Sequence, residues 1–344
     1  MVNNDKLLSV NNLKTYFPTD EGVVKAVDGV TFDIEPGKTM GLVGESGCGK
    51  STVGRSLLQI IDHPGRIVDG DVQFQSDSAG GTVDLAAEKP GSSLMRQIRG
   101  GEIALIFQEP MTSFSPVHTV GNQVIEAIQL HMDVSKKVAM SRAEELFDLV
   151  GIPNPRSRLN EYAYQLSGGL RQRAMIAMAL SADPKLLIAD EPTTALDVTT
   201  QAQILELLKT LQKQNNMAIL MITHNLGVIA EMADEVVVMY LGKGVEVGNI
   251  DDIFHDPQHP YTQGLLRSIP SIYTEGEGRL PSIRGSVPHP FNRPSGCTFR
   301  TRCPDFINGE CNTSIPELQK IGKTDRMVSC FKIHPTKQEV AANG

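Results

Sequence analysis

The sequence predicts an α/β fold, a mostly parallel sheet flanked by helices, followed by a small cysteine-containing C-terminal extension. Three observations carry that expectation. An apolar run from Met40 to Val43 enters a glycine-rich turn and then an amphipathic helix, "TMGLVGESGCGKSTVGRSLLQII". Two further continuous apolar runs, "LLIAD" and "AILMIT", end in polar residues; such runs suit strands buried on both faces of a parallel sheet. Beyond them the composition shifts to "RLPSIRGSVPHPFNRPSG", rich in Pro, Gly and Arg with little periodicity, and four of the chain's 5 cysteines follow.

A length of 344 residues fits about two domains. With 40% hydrophobic and 21% charged residues the chain can bury a sizeable core. The net charge of −8 argues against non-specific nucleic-acid binding, which needs a basic face to neutralise phosphates. The N-terminal "MVNNDKLLSV" has no basic region followed by an apolar stretch, so no secretory signal is read. The apolar runs fall far short of the ~20 residues that span a bilayer. A soluble, cytosolic chain is expected, and in a reducing cytosol clustered cysteines suit metal or redox chemistry better than disulfides.

The first element, Gly44-Glu45-Ser46-Gly47-Cys48-Gly49-Lys50-Ser51, matches G-x-x-x-x-G-K-[ST] between a strand and a helix. Its glycines let backbone N–H groups curl around phosphates, and the helix N-terminus adds its positive dipole end. Lys50 supplies a point charge to the β- and γ-phosphates, and the Ser51 hydroxyl suits Mg²⁺. Cys48 reads as a small filler rather than a nucleophile. The second element, "PKLLIADEPTTALD", ends a strand in Asp190-Glu191. Successive strand residues face opposite ways, which separates their roles: Asp190 for the Mg²⁺ shell, Glu191 to polarise an attacking water. His224 follows the third apolar run, and Gln108 follows "IALIF". Both stand at strand carboxyl ends, where ligands of α/β sheets bind. Gln108 suits a water- or metal-positioning role.

"YQLSGGLRQRAMIAMALSADP" then places Ser167-Gly168-Gly169 before a long helix, a second anion-holding helix terminus in a chain that already has a phosphate loop. The order of phosphate loop, Gln108, "LSGG", "LLIADEP", "ALD" and His224 resembles the ATP-binding-cassette (ABC) ATPases over roughly residues 5 to 255. The resemblance implies a phosphate-loop NTPase with a RecA-like core over residues 1–255, interrupted by a helical subdomain at about 110–182. "TVGNQVIEAIQLHM" and "SRAEELFDLVGIP" supply helical apolar spacing there. It also implies that two cassettes close head-to-tail around ATP and Mg²⁺.

Carried over by position, Gly44, Glu45, Ser46, Gly47, Cys48, Gly49, Lys50, Ser51 and Thr52 become the nucleotide loop. Ser167, Gly168 and Gly169 become the signature that contacts ATP on the partner cassette, and Asp197 the intersubunit loop aspartate. Glu191 becomes the general base and His224 the switch histidine. Gln108 becomes the glutamine coupling the site to membrane subunits, with "EPMTSFSP" as the mobile loop beside that contact. Phe17, with Tyr16 as the other candidate, is expected to stack on adenine. Leu170 departs from the glutamine that many cassettes carry after "LSGG".

"FQEPMTSFSPVHTVGNQ", "HPYTQGLL" and the cysteine-bearing tail resemble, more narrowly, the ATPases of oligopeptide and dipeptide importers, whose relatives carry nickel, glutathione or oligosaccharides. That likeness implies a peripheral subunit on the cytoplasmic face of the inner or plasma membrane. Its expected partners are a homologous ATPase in a heterodimer, two membrane permeases and an extracytoplasmic solute-binding protein. Soluble ABC ATPases of DNA repair or translation are the competing class. The acidic charge, the single cassette and the "HPYT" tail disfavour them.

The extension is read as residues 256–344, and residues 77–100 as a surface loop or ribbon. Cys297, Cys303, Cys311 and Cys330 are separated by five, seven and eighteen residues. Structural zinc sites begin with ligands two to four residues apart. This wider spacing and the Cys303-Pro304 step fit a four-thiolate iron–sulfur cluster better, with zinc and free thiols as alternatives. Some members of the peptide-importer branch carry a [4Fe-4S] cluster in such a tail.

Overall fold

A computed structural model describes residues 6–109, 113–194, 196–269 and 283–335. Parts of "EPMTSFSP" and of the Pro-rich stretch, and most of the final "HPTKQEVAANG", lie outside the described residues.

β1 (Leu8–Thr19), β2 (Gly22–Ile34), β4 (Arg66–Ser76) and β5 (Gly81–Asp84) form an antiparallel sheet in the order β2-β1-β4-β5. The larger sheet contains β3 (Thr39–Val43), β6 (Ile103–Ile106), β7 (Leu186–Asp190), β8 (Ala218–Ile222), β9 (Glu235–Tyr240) and β10 (Lys243–Asn249), with the short β11 (Gln319–Lys320) and β12 (Met327–Val328). Its order is β11-β12-β10-β9-β3-β8-β7-β6. The pairs β6–β7, β7–β8, β8–β3 and β3–β9 are parallel. Every residue of β3, β7 and β8 is buried, as strands covered on both faces require.

The strand period of two distributes these residues between layers. Leu187, Ala189, Ile219 and Met221 join the core beneath the helices. Leu186, Ile188, Leu220 and Ile222 join the core shared with the antiparallel sheet and the helix Lys50–Leu57. Helices Val120–His131, Lys136–Leu149 and Gly168–Ala179 start at Thr119, Ser135 and Ser167, each of whose hydroxyls accepts a backbone N–H of the first turn. Ser/Thr caps of this kind are worth about 1 kcal/mol each. Ile128 and Phe147 are fully buried in the helical layer, each worth roughly 1.5–3 kcal/mol.

Residues 77–100 divide into two structures. β5 pairs with β4 as a ribbon, whereas Ser93–Gly101 is a helix broken by a kink at Arg99 and Gly100, capped by Ser92 and burying Met95 and Ile98. The Gly/Ser content that suggested a loop includes a helix cap, and only Leu94, Met95 and Ile98 mark the packed face.

The extension joins the core sheet directly. β12 pairs with β10, Glu246 opposite Val328. Arg326 Nη2 donates to Glu246 Oε1 at 2.9 Å, with Glu246 fully buried. The Glu246 carboxylate also accepts the amides of Gln258 (2.8 Å) and His259 (2.9 Å). Phe299 packs on Tyr240 and Tyr261 at ring-centroid distances of 5.1 and 5.3 Å.

Candidate functional site

Because β3, β6, β7 and β8 run parallel, their carboxyl ends share one edge, and the segments leaving that edge converge. A cavity of about 270 Å³ there is lined by Lys50, Ser51 and Thr52 of the glycine loop and its helix, together with Ser46, Gly47, Gly49, Gln108 and Glu191. An adjoining cavity adds Gly44, Glu45, Thr194 and His224. Gly44 and Gly49 are required by space as well as by conformation. At Gly44 (φ +153°) a Cβ would lie 2.2 Å from the Met239 carbonyl oxygen, and at Gly49 (φ +102°) 2.0 Å from that of Ala26.

Lys50 Nζ donates to the carbonyls of Gly44 (2.9 Å) and Glu45 (3.2 Å). Cys48 is buried, and burial raises its thiol pKa, so it stays a neutral filler. Ser51 Oγ donates to Asp190 Oδ1 at 2.9 Å, joining residues 139 positions apart. Burial raises the Asp190 carboxyl, with the Ser51 hydrogen bond opposing and the nearby Glu191 charge adding. A hydroxyl and a carboxylate oxygen are a hard donor pair. They suit Mg²⁺, which takes one or two protein oxygens and completes its shell with water and phosphate.

Glu191 does not continue the strand alternation. β7 stops at Asp190, and Glu191 adopts φ +50°, a left-handed conformation rare for a residue with a side chain. Its N–H donates to the Ile222 carbonyl at 2.8 Å. The turn aims the carboxylate along the sheet edge, where three groups hold it. Gln108 Nε2 and Thr194 Oγ1 donate to Oε2, each at 2.9 Å, and His224 Nδ1 lies 2.8 Å from Oε1. Burial would raise this carboxyl, but the His224 and Thr194 hydrogen bonds and the Lys50 charge bring it below its ordinary value. It is therefore ionised and oriented, the state a general base needs.

Other sequence-selected residues stand elsewhere. Ser167 accepts the Leu170 N–H at 3.3 Å at the start of Gly168–Ala179, and Gly169 abuts Thr200. Asp197 caps Val198–Asn215, accepting the Thr200 N–H at 2.9 Å and its hydroxyl at 2.7 Å. None of these lines either cavity. Phe17 lies on β1 with its ring against Gly65 and is not among the lining residues either. Tyr16 donates to Asp28 Oδ1 at 2.6 Å.

Val24, Lys25 and Ala26 of β2 form the neighbouring wall together with Pro290 and Arg293 of the extension. Arg293 Nη1 donates to Asp28 Oδ2 at 2.8 Å and Nη2 to the Lys25 carbonyl at 2.6 Å. Sequence reasoning missed Thr194, Tyr261, Arg293 and Arg302 as neighbours of the site. The quoted "HPYT" and the arginines of the tail were the available signal, but nothing local says where a loop without periodicity will pack.

All five cysteines are free. The Cys297 N–H donates to the Cys311 carbonyl at 2.9 Å. Cys297 is pushed up to about 11, first by burial, with the Cys311 and Cys330 thiols adding. Cys303 is pushed up to about 12 by burial, with Cys330 and Cys297 adding. Burial also raises Cys330, with Cys311 adding. The four thiols thus share one neighbourhood, although among the described residues no group of three or more Cys, His, Asp or Glu surrounds a single metal position.

This edge, with its glycine loop, hydroxyl–aspartate pair and oriented glutamate, defines a phosphate-loop nucleotide site. The ABC transporter family matches residues 27–194, and the oligopeptide/dipeptide transporter C-terminal region matches residues 245–311. The chain is 47% identical over 324 residues to the dipeptide transport ATP-binding protein DppD of Haemophilus influenzae, covering 94% of each. It is 50% identical over 327 residues to the oligopeptide transport ATP-binding protein AppD of Bacillus subtilis, covering 94% of this chain and 96% of the relative. Among solved structures, MJ0796, a bacterial ABC transporter cassette described as dimeric, aligns with a TM-score of 0.62 at 24% identity, over 71% of this chain and 98% of that one. The chain belongs to the ABC transporter family, in the branch that carries the oligopeptide/dipeptide C-terminal region.

Proposed function

We propose that this chain is the ATP-binding and ATP-hydrolysing subunit of an importer of peptides or related small solutes, peripheral on the cytoplasmic face of the membrane. One observation carries the reading: Ser51 is paired with Asp190 beside Lys50, and Glu191 is held between Gln108 and His224 on the same edge. The loop amides and Lys50 bind the phosphates. Ser51 and Asp190 would hold Mg²⁺, which would supply positive charge to offset that of the phosphates. Glu191 accepts the proton of the attacking water, and its three hydrogen-bond partners fix its direction.

Ser167, Gly168, Gly169 and Asp197 line neither cavity, and the family likeness implies that they serve ATP bound on a second cassette, here a homologous partner ATPase. Hydrolysis removes the bridging γ-phosphate and lets the pair reopen, a two-state switch that moves two attached permeases. An extracytoplasmic binding protein supplies the solute. The family likeness assigns the adenine stack to Phe17, or to Tyr16, although neither lines the cavity here.

Co-expression with the permeases and partner ATPase, followed by solute-dependent phosphate release in vesicles, tests this. Co-purification with ribosomes or DNA in place of permeases would overturn it. Cys297, Cys303, Cys311 and Cys330 would hold a [4Fe-4S] cluster if drawn together, since as placed here no three of them surround one metal position. The shared neighbourhood of the thiols, Cys311 buried and the other three half-buried, supports that reading. Visible absorbance and iron in anaerobically purified protein, both lost in Cys303→Ser, are expected; colourless protein with stoichiometric zinc would overturn it.

A further inference from the structure

Glu45 belongs to the phosphate loop, yet the extension grips it. Arg302 Nη1 donates to Glu45 Oε2 at 2.6 Å and Nη2 to Oε1 at 3.0 Å, a two-pronged pair. The Glu45 backbone N–H donates to Tyr261 Oη at 2.9 Å. One loop residue is therefore held at main chain and side chain by residues 216 and 257 positions away.

Both grips are rigid. The Arg302 side chain is only 4% exposed, its Nε donates to the Arg284 carbonyl at 3.1 Å, and its guanidinium lies 5.8 Å from the Tyr240 ring centre. Tyr261 is fully buried against Tyr240, 4.7 Å between ring centres. A planar, two-pronged pair with a buried guanidinium and a partly exposed carboxylate fixes direction as well as distance. On the other side of the same loop, Lys50 Nζ binds the carbonyls of Gly44 and Glu45. The orientation of the Glu45 peptide thus sets where the phosphate-binding lysine is anchored. Displacement of a reacting group by about 1 Å can cost ~100-fold in rate, so such anchoring has functional weight.

We propose that Arg302 is a positioning residue for the nucleotide site. Through Glu45 it holds the phosphate loop in its binding shape, making the cysteine-bearing extension a working part of that site. The proposal rests on the ATP-binding reading above. It also ties two regions together physically, because Arg302 immediately precedes Cys303 and its neighbour Phe299 packs on Tyr261.

The test is equilibrium binding of a non-hydrolysable ATP analogue with Mg²⁺ to the full chain assembled with its partner ATPase. Arg302→Lys keeps the charge and loses the fork. Its expected effect is roughly tenfold weaker binding, equivalent to about 1.4 kcal/mol. Lys320→Ala, which removes a surface ion pair of the same extension, should leave affinity within twofold.

Glu45→Gln gives the sharper reading, because it leaves the extension's own packing intact and so also serves if Arg302→Lys fails to fold. Simple electrostatics predicts tighter triphosphate binding once a nearby carboxylate is removed, whereas positioning predicts weaker binding. In the Glu45→Gln background Arg302→Lys should add less than twofold. Tighter binding in Glu45→Gln, binding within twofold of wild type in Arg302→Lys, or independent multiplication of the two effects would each overturn the proposal. Failure of the unsubstituted assembly to bind the analogue would instead overturn the ATP reading on which it rests.

Discussion

Replacing Glu191 with glutamine isolates the base from the fold. The carboxamide has the same shape. Its oxygen can still accept from Gln108 Nε2 and Thr194 Oγ1, now at 2.9 Å each, and its NH₂ can donate to His224 Nδ1 at the present 2.8 Å. The left-handed backbone at φ +50° belongs to either residue equally. Stability and nucleotide affinity should therefore change little, with affinity equal to wild type or tighter because a negative charge near the phosphates is gone. Turnover should fall by the general-base contribution, about 10²–10⁴-fold, or about 2.7–5.4 kcal/mol at about 1.36 kcal/mol per decade.

Single-turnover phosphate release at this site, with the chain assembled with its partner, reads the chemical step without product release. The pH profile adds a sign. Since the carboxyl lies below its ordinary value of 4.5, the base stays ionised as pH falls through that value, and its contribution is lost only below it. Unchanged single-turnover hydrolysis in Glu191→Gln would refute the assignment.

Ser51→Ala removes both the partner of Asp190 and a metal-facing hydroxyl; the Mg²⁺ concentration for half-maximal turnover should rise roughly 10–100-fold, the usual cost of disturbing a metal ligand shell, read by Mg²⁺ titration of ATPase activity. Arg326→Met leaves the fully buried Glu246 carboxylate without its counter-ion, so denaturant unfolding should show a loss of about 3–5 kcal/mol. His259 is buried, its Nδ1 accepting the Tyr261 N–H at 3.0 Å, and burial pushes its pKa down to about 3. Its folded value lies below its unfolded one, so its contribution is complete above pH about 6.5 and is lost on acidification towards 3, at up to ~1.4 kcal/mol per pH unit. In His259→Asn, which keeps a capping oxygen without titrating, the acid side of the stability profile should flatten over that window.

Much of the site was legible because its chemistry is local. The glycine loop needs backbone freedom and a following helix within a dozen residues, and Ser167 stands just before a long helical run. Glu191 is an intermediate case. Its identity and place after an apolar strand could be read, but strand alternation mispredicts its direction, which a left-handed turn and an N–H bond to Ile222 impose. The helix at Ser93–Gly101 was hidden for a related reason, since its cap and glycines have loop composition and only Leu94, Met95 and Ile98 mark its packed face.

By itself, then, the sequence determined the α/β class, the phosphate loop, the acidic pair and the grouping of the cysteines, because periodicity, backbone freedom and side-chain chemistry act over short separations. Only the tertiary structure decided that Ser51 meets Asp190, that three groups clasp Glu191, and that Tyr261 and Arg302 grip Glu45 across more than two hundred residues. A Pro- and Arg-rich tail with no period carries no record of where it docks. Its place is set by a buried ion pair at Arg326 and Glu246, by β12 adding to the edge of β10, and by the aromatic contacts of Phe299. Each of these depends on a surface that exists only once the sheet has formed.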